Sequence, residues 1–187
     1  MAAMPSALTR TDPADVLAFW REAGPTRWFY KDPAFDTRFR DRFLPAHEAA
    51  MRGDLDAWAA DVVGALALMI LLDQFPRNAF RGTARMFESD TKAREVARRA
   101  VSAGLDRATE PELRQFFYLP FGHSEDLTDQ DQSVELAQGL GGESLRYAII
   151  HREIIEKFGR FPHRNPVLGR VTTPDEQAFL DTAGFAG

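Results

Sequence analysis

Cysteine is absent from the 187 residues, so there is no disulfide framework, no thiolate nucleophile and no Cys-based zinc or iron–sulfur site. Long hydrophobic runs are also missing. The longest, Val62–Leu72, falls well short of the roughly 20 residues a membrane-spanning helix needs. Positive charge is not in excess: Lys and Arg number 23 against 28 Asp and Glu, and the pI is about 5.4. A net charge of −5 argues against nucleic acid as the main partner. Met1–Arg10 has no basic segment followed by an apolar one, so no signal peptide is expected. A cytoplasmic protein that neither spans nor binds a membrane is the expectation. Two catalytic signatures are missing too. Gly139-Leu140-Gly141-Gly142 lacks the Lys-Ser/Thr of a phosphate loop, and no Gly-x-Ser-x-Gly nucleophile elbow occurs. No stretch alternates with period two beside hairpin signals, which excludes an obvious sheet.

What is present is helical punctuation. With 44% hydrophobic and 27% charged residues, the chain reads as one globular domain over residues 1–187, its first eleven residues a flexible tail. Asp12-Pro13 and Asp32-Pro33 place a capping side chain before a proline at the first helical position. Thr173-Pro174 and Thr109-Glu110-Pro111 repeat the device, with Glu176 and Glu112 at the capping-box position. Phe35, Phe39 and Phe43 recur every four residues, an apolar stripe on one helix face. Pro45 should kink or end that helix, yet Ala46–Met51 still reads helical. Asp61–Phe75 is apolar nearly all round and reads as the buried central helix, stopped by Pro76, with Leu68, Ile70 and Leu72 inside. Further helices are expected over 89–103, 110–119 (ended by Pro120), 124–138 (capped by Ser124) and 143–158. A long basic loop should fill 159–172, and a last helix 174–180. Eight or nine short helices with short connections point to an all-α fold of stacked antiparallel helix pairs.

Polar chemistry concentrates at three helix ends. The first is Asp73-Gln74-Phe75-Pro76-Arg77-Asn78, continued by Arg81. There an apolar helix abruptly delivers an acid, two arginines and two amides. Two guanidiniums and an Asn make an anion-binding corner; the same residues also suit a plain helix C-terminus with an internal ion pair. The second is His123-Ser124-Glu125-Asp126. The acids suit a helix N-terminus, but a His beside carboxylates is also material for general acid–base work. Its spacing matches no standard metal motif, so neither a metal nor a cofactor is expected. The third runs from His151-Arg152 to Arg160, His163, Arg164 and Asn165, ending in a loop held by Gly159, Pro162 and Pro166. Such a loop is either functional or a solvated cap. The remaining histidine, His47, reads as structural or surface.

These strings closely resemble the bacterial domain-of-unknown-function family 924. The matching residues are Val16-Leu-Ala-Phe-Trp20, Leu71–Asn78 with Phe80–Thr83, Tyr118–Pro120 with His123–Asp126 and Asp129-Gln130, and His151-Arg152 with Phe158–Asn165. The resemblance spans roughly residues 14–182. It implies an all-α, tetratricopeptide-like helical array and no particular reaction.

Three functional readings follow. In the leading one, the three helix ends meet on a shared edge. Asp73, Arg77, Asn78, Arg81, His123, His151, Arg160, His163, Arg164 and Asn165 then line a pocket for an anionic small molecule or a peptide carboxylate. In the second, the protein is a hydrolase, with or without a metal. His123 or His151 would be the base, Glu125, Asp126 or Asp73 would orient it, and the arginines would stabilise developing negative charge. In the third, the polar strings only pin helices together in an interaction scaffold.

Overall fold

A computed structural model describes residues 11–183. The expected tail over residues 1–11 lies almost wholly outside them. The fold is all-α. Helix α1 spans Pro13–Ala23, α2 Pro25–Trp28, α3 Pro33–Arg52, α4 Val62–Met69, α5 Phe75–Ala79 and α6 Asp90–Ser102. Then come α7 Pro111–Gly122, α8 Leu127–Gln138, α9 Gly142–Phe158, α10 Asn165–Leu168 and α11 Pro174–Ala183. Asp12 and Asp32 cap α1 and α3 as their sequence predicts, each accepting from backbone N–H groups of the first turn.

The core follows from the apolar stripes. Helix α4 packs against α1, α6 and α7, while α3 lies against α5, and α6, α7, α8 and α9 follow as successive neighbours. The α3 stripe of Phe35, Phe39 and Phe43 meets Phe19 and Trp20 of α1, and Phe39 also meets Phe75 edge-on at 5.1 Å. Edge-to-face and offset pairs of this kind stabilise beyond their buried area. Trp28 stacks on Trp20, and its indole N–H donates to the Trp20 carbonyl at 2.7 Å. A 3₁₀ turn, Asp56–Ala60, crosses α4 at Gly64, where any Cβ would stand 2.1 Å from the Trp58 carbonyl oxygen. Leu68, Ile70 and Leu72 are buried, as the sequence predicts.

Two prolines, Pro76 and Pro120, do not end their helices as expected, and Pro45, after which the sequence still reads helical, does not break α3. Helix α3 runs through Pro45 to Arg52. Pro45 removes only the donor to the Asp41 carbonyl, and both residues are exposed, so water completes that carbonyl. Pro120 likewise sits inside α7.

Pro76 has the larger effect. Between α4 and α5 the backbone widens into a π-helical turn over Ile70–Gln74, and the Phe75 N–H reaches back five residues to the Ile70 carbonyl. Pro76 has no N–H to offer Leu71 or Leu72, five and four positions earlier. Both carbonyls are buried and must be satisfied otherwise. His47 Nδ1 donates to the Leu71 carbonyl at 2.8 Å, and Ser89 Oγ donates to the Leu72 carbonyl at 2.5 Å. Arg77 adds a third such contact, to the Asp73 carbonyl at 2.8 Å. Ser89 therefore does not cap α6 with its side chain, and His47 is a buried structural group.

Smaller differences cluster at helix starts. Asp126, not Ser124, caps α8; Ser124 Oγ instead donates to buried Asp129 and accepts from the Asp126 N–H. Helix α2 and the short α10 occupy stretches whose few residues carry no periodic signal.

Ser89→Ala strands the Leu72 carbonyl and is expected to destabilise the fold by about 1–3 kcal/mol. Leu68→Ala, which leaves a cavity in the core, is expected to cost about 2–5 kcal/mol. Urea titration followed by far-ultraviolet circular dichroism measures both; a change of a few tenths in either variant would contradict this packing.

Candidate functional site

The π turn ends where the polar residues begin. It directs Asp73 and Gln74 inward at full burial and sets Arg77 and Asn78 one turn further on. Helix α7 delivers His123 at its C-terminus, α9 delivers His151 from its middle, and the 3₁₀ turn Pro162–Arg164 delivers His163 and Arg164. These segments enclose a cavity of about 560 Å³. Its polar end holds Gln74, Arg77, Asn78, His123, His151, His163 and Arg164, with Arg81 at the edge. Its other walls are largely apolar, with Trp28 and Phe29 of α2, Tyr118 and Leu119 of α7, Ala137 and Leu140 from α8 onward, and Tyr147 and Ala148 of α9; Gln115, Ser133, Glu143 and Ser144 add polar groups there.

The polar end is held by a dense set of bonds. His123 Nδ1 lies 2.8 Å from Asp73 Oδ1. The other Asp73 oxygen accepts from Gln74 Nε2 at 2.7 Å, and Arg77 stands 3.3 Å from Oδ1. Arg77 also forms a two-pronged pair with Asp90 at 2.9 and 3.2 Å. Arg164 donates to the His123 carbonyl at 2.9 Å and stacks against Phe87 and Phe161. Gly122 lets this happen: its carbonyl accepts from His151 Nδ1 at 3.0 Å and from Gln130 Nε2 at 2.8 Å. A Cβ at Gly122 would sit 3.1 Å from Ser133 Oγ and 3.5 Å from His151 Nδ1.

Burial and like charge set the protonation of the site. Burial pushes the Asp73 carboxyl up, but Arg77 and His123 outweigh it and hold the group at about 2. Burial, and then Arg77, lower His123 despite its carboxylate partner. Burial and His123 take His151 down to about 3, and burial and Arg164 take His163 down to about 4. Burial and Arg77 bring Arg164 down to about 10. Three neutral imidazoles and an arginine under strain from a second arginine describe a cavity that resists further positive charge. Two tautomers are fixed by their partners. A carboxylate and a carbonyl can only accept, so the ring protons of neutral His123 and His151 sit on Nδ1.

Several residues expected in the lining lie elsewhere. Arg160 pairs with Glu176 at 2.6 Å and donates to the Val171 carbonyl. Asn165 is buried against the same Glu176 and Thr172. Together they close the loop onto α11 instead of facing the cavity. Glu125 accepts from the Phe161 N–H at 2.9 Å and from both prongs of Arg170, a strap between the α7–α8 turn and the 160s. Asp126 is the α8 cap. Asp73 sits behind His123 and does not line the cavity. Of the acids named from sequence to orient a histidine, Asp73 bonds His123. Arg81 and Asn78 both bind Asp36, and Arg77 binds Asp90, so the corner that looked cationic in sequence is largely neutralised. Neither Asp36 nor Asp90 stands out in the sequence; each reads as an ordinary first-turn acid. The apolar walls were also missed, because Tyr147, Leu140 and Phe29 fall outside the polar strings. Among the described residues, no group of three His, Asp or Glu side chains is gathered as a metal ion would require. No described helix is long and apolar enough to cross a membrane.

Fold and site together define an all-α domain with a buried, histidine-rich and arginine-rich cavity. The chain belongs to the family of bacterial proteins of unknown function DUF924, whose pattern matches residues 16–184. It is similar to a solved structure of a protein of unknown function from Agrobacterium tumefaciens, 53% identical, with a TM-score of 0.89 over 90% of this chain and 96% of that one. Comparison with curated proteins gives no match.

The lowered histidines make a pH prediction. An unfolded His takes a proton near 6.5, whereas folded His151 waits until about 3 and His163 until about 4. The unfolded chain therefore binds more protons throughout that window. Stability is full above pH ~6.5 and falls as the pH drops below it, by up to about 1.4 kcal/mol per pH unit for each imidazole. Urea midpoints should decline steadily from about pH 7 to about pH 5, and His151→Gln should flatten the slope by roughly one proton. A pH-independent midpoint across that range would contradict the burial of these rings.

Proposed function

We propose that the protein binds a small amphipathic anion in this cavity: a carboxylate, phosphate or sulfonate head on an aromatic or aliphatic body. The observation that carries the reading is the meeting of three polar segments, far apart in sequence, in a single cavity whose other walls are largely apolar. A volume of about 560 Å³ suits a ligand of modest size, and few convergent polar groups over apolar walls are the usual anatomy of such sites. The head group faces Arg164. Arg77 is engaged by Asp73 and Asp90, while Arg164 has a looser ion pair, with Asp90 at 3.7 Å, and feels Glu125 and Asp73 through their charge. Bringing a negative charge there relieves the repulsion between the two guanidiniums and restores the basicity of the imidazoles. The body lies along Leu140, Tyr147 and Phe29, the last two of which are exposed at the rim.

The probe for this is 8-anilinonaphthalene-1-sulfonate, an aromatic body with an anionic head. It is expected to bind the native chain at one site with enhanced fluorescence. Ser144, at the cavity wall on the first turns of α9, is partly exposed, so Ser144→Trp fills the space without disturbing the core and should abolish the signal. Arg164→Lys keeps a charge but loses the planar fork, and should weaken binding about tenfold, ~1.4 kcal/mol. Fluorescence unchanged in both variants would overturn the reading.

A further inference from the structure

We infer that the same cavity hydrolyses carboxylic esters, with His123 as general base for water and Asp73 as its positioning residue. The inference rests on the cavity being a binding site and adds a reaction to it.

The geometry singles out one of the three histidines. His151 rests its Nδ1–H on the Gly122 carbonyl, a neutral acceptor. His123 instead has the Asp73 carboxylate, buried and at 2.8 Å. An anion behind the ring favours the imidazolium that forms when the far nitrogen takes a proton, as in Asp–His pairs of hydrolases generally. Asp73 is itself fixed by Gln74 and Arg77, so the ring is oriented before any substrate arrives. With the proton of the neutral ring on Nδ1, the lone pair is on Nε2. Among the described residues Nε2 has no hydrogen-bond partner, and the His123 ring borders the cavity. No serine or threonine hydroxyl of the described residues is bonded to it, which leaves water as the attacking group. Burial lowers the basicity of His123, so the ring is neutral and able to accept a proton at neutral pH. Such a modest base suits an ester, whose alkoxide leaves more readily than an amine.

The step balances as follows. A water held at Nε2 gives up a proton to that nitrogen as its oxygen bonds to the ester carbonyl carbon. The carbonyl electron pair moves to oxygen, and the resulting oxyanion is stabilised by Arg164, a guanidinium of the cavity wall. Collapse of the tetrahedral intermediate breaks the bond to the alcohol oxygen, which takes the proton from Nε2. The products are a carboxylic acid and an alcohol, and the ring returns to its starting state. The acid product is the amphipathic anion that the cavity accommodates.

The test uses the full chain and a series of 4-nitrophenyl esters from acetate to octanoate, read by release of 4-nitrophenol. Saturable turnover above the buffer rate is expected, suppressed by 8-anilinonaphthalene-1-sulfonate and absent in Ser144→Trp, which leaves His123 intact. His123→Gln should lower kcat about 100-fold or more while still binding the probe. Asp73→Asn should lower kcat with little change in KM and move the midpoint of the pH–rate profile, an effect that a purely structural role would not produce. Hydrolysis no faster than buffer for every ester, or a His123→Gln variant as fast as the native chain, overturns the inference. If the probe binds and Ser144→Trp blocks it while no ester turns over, only the reaction fails. If the probe does not bind, the binding reading fails with it.

Discussion

Pro76 has no N–H, and it sits buried just past the buried turn Ile70–Gln74. That single missing donor shapes the architecture around it. The helix cannot continue in simple α register without leaving the Leu72 carbonyl empty in an apolar interior, which is costly. The chain instead widens into a π turn, and side chains from elsewhere supply the donors: His47 from α3 and Ser89 from the start of α6. Two distant elements are thereby bonded to one turn. The same turn delivers Asp73, Gln74 and Arg77 in succession toward the polar end of the cavity. π turns of this kind occur disproportionately at functional sites, and here the local irregularity and the candidate site share the same residues.

The charges show the same economy. Each arginine of the first motif has a carboxylate: Asp90 for Arg77 and Asp36 for Arg81. Buried pairs of this sort are weak sources of stability, because desolvation offsets most of their attraction. Their effect is orientation. The most loosely paired is Arg164, pressed against Phe87 and Phe161 and near Arg77, with Asp90 at 3.7 Å; beside it stand three imidazoles kept neutral by burial. The cavity is thus close to neutral as a whole but positive locally, at the spot where a ligand head group would sit.

Much of the fold was legible in the sequence. The Asp-Pro caps, the phenylalanine stripe of α3 and the apolar run after Asp61 act locally, within a few residues, and local rules read them well. Pro76 was misread because the effect of a proline depends on whether the orphaned carbonyl is left open to solvent or met by a side chain from a distant helix, as at Leu72. Sequence shows the missing donor but not the replacement. The site divides the same way. Arg77, Asn78, His123, His151, His163 and Arg164 are visible as abrupt polarity at helix ends. Arg160, Asn165 and Glu125 look identical in sequence, yet their partners Glu176 and Arg170 turn them into straps. Asp36, Asp90 and the apolar wall carry no local mark, since their part in the site exists only through contacts made over long separations.

If the π turn holds Asp73 against His123 as described, the imidazole of His123 has one defined state. Nitrogen-15 correlation spectra of the histidine side chains report it directly. At neutral pH the account predicts a neutral His123 ring protonated at Nδ1, with an unprotonated Nε2, and a loss of that fixed tautomer in Asp73→Asn. A His123 ring protonated at Nε2, or an imidazolium at neutral pH, would contradict it.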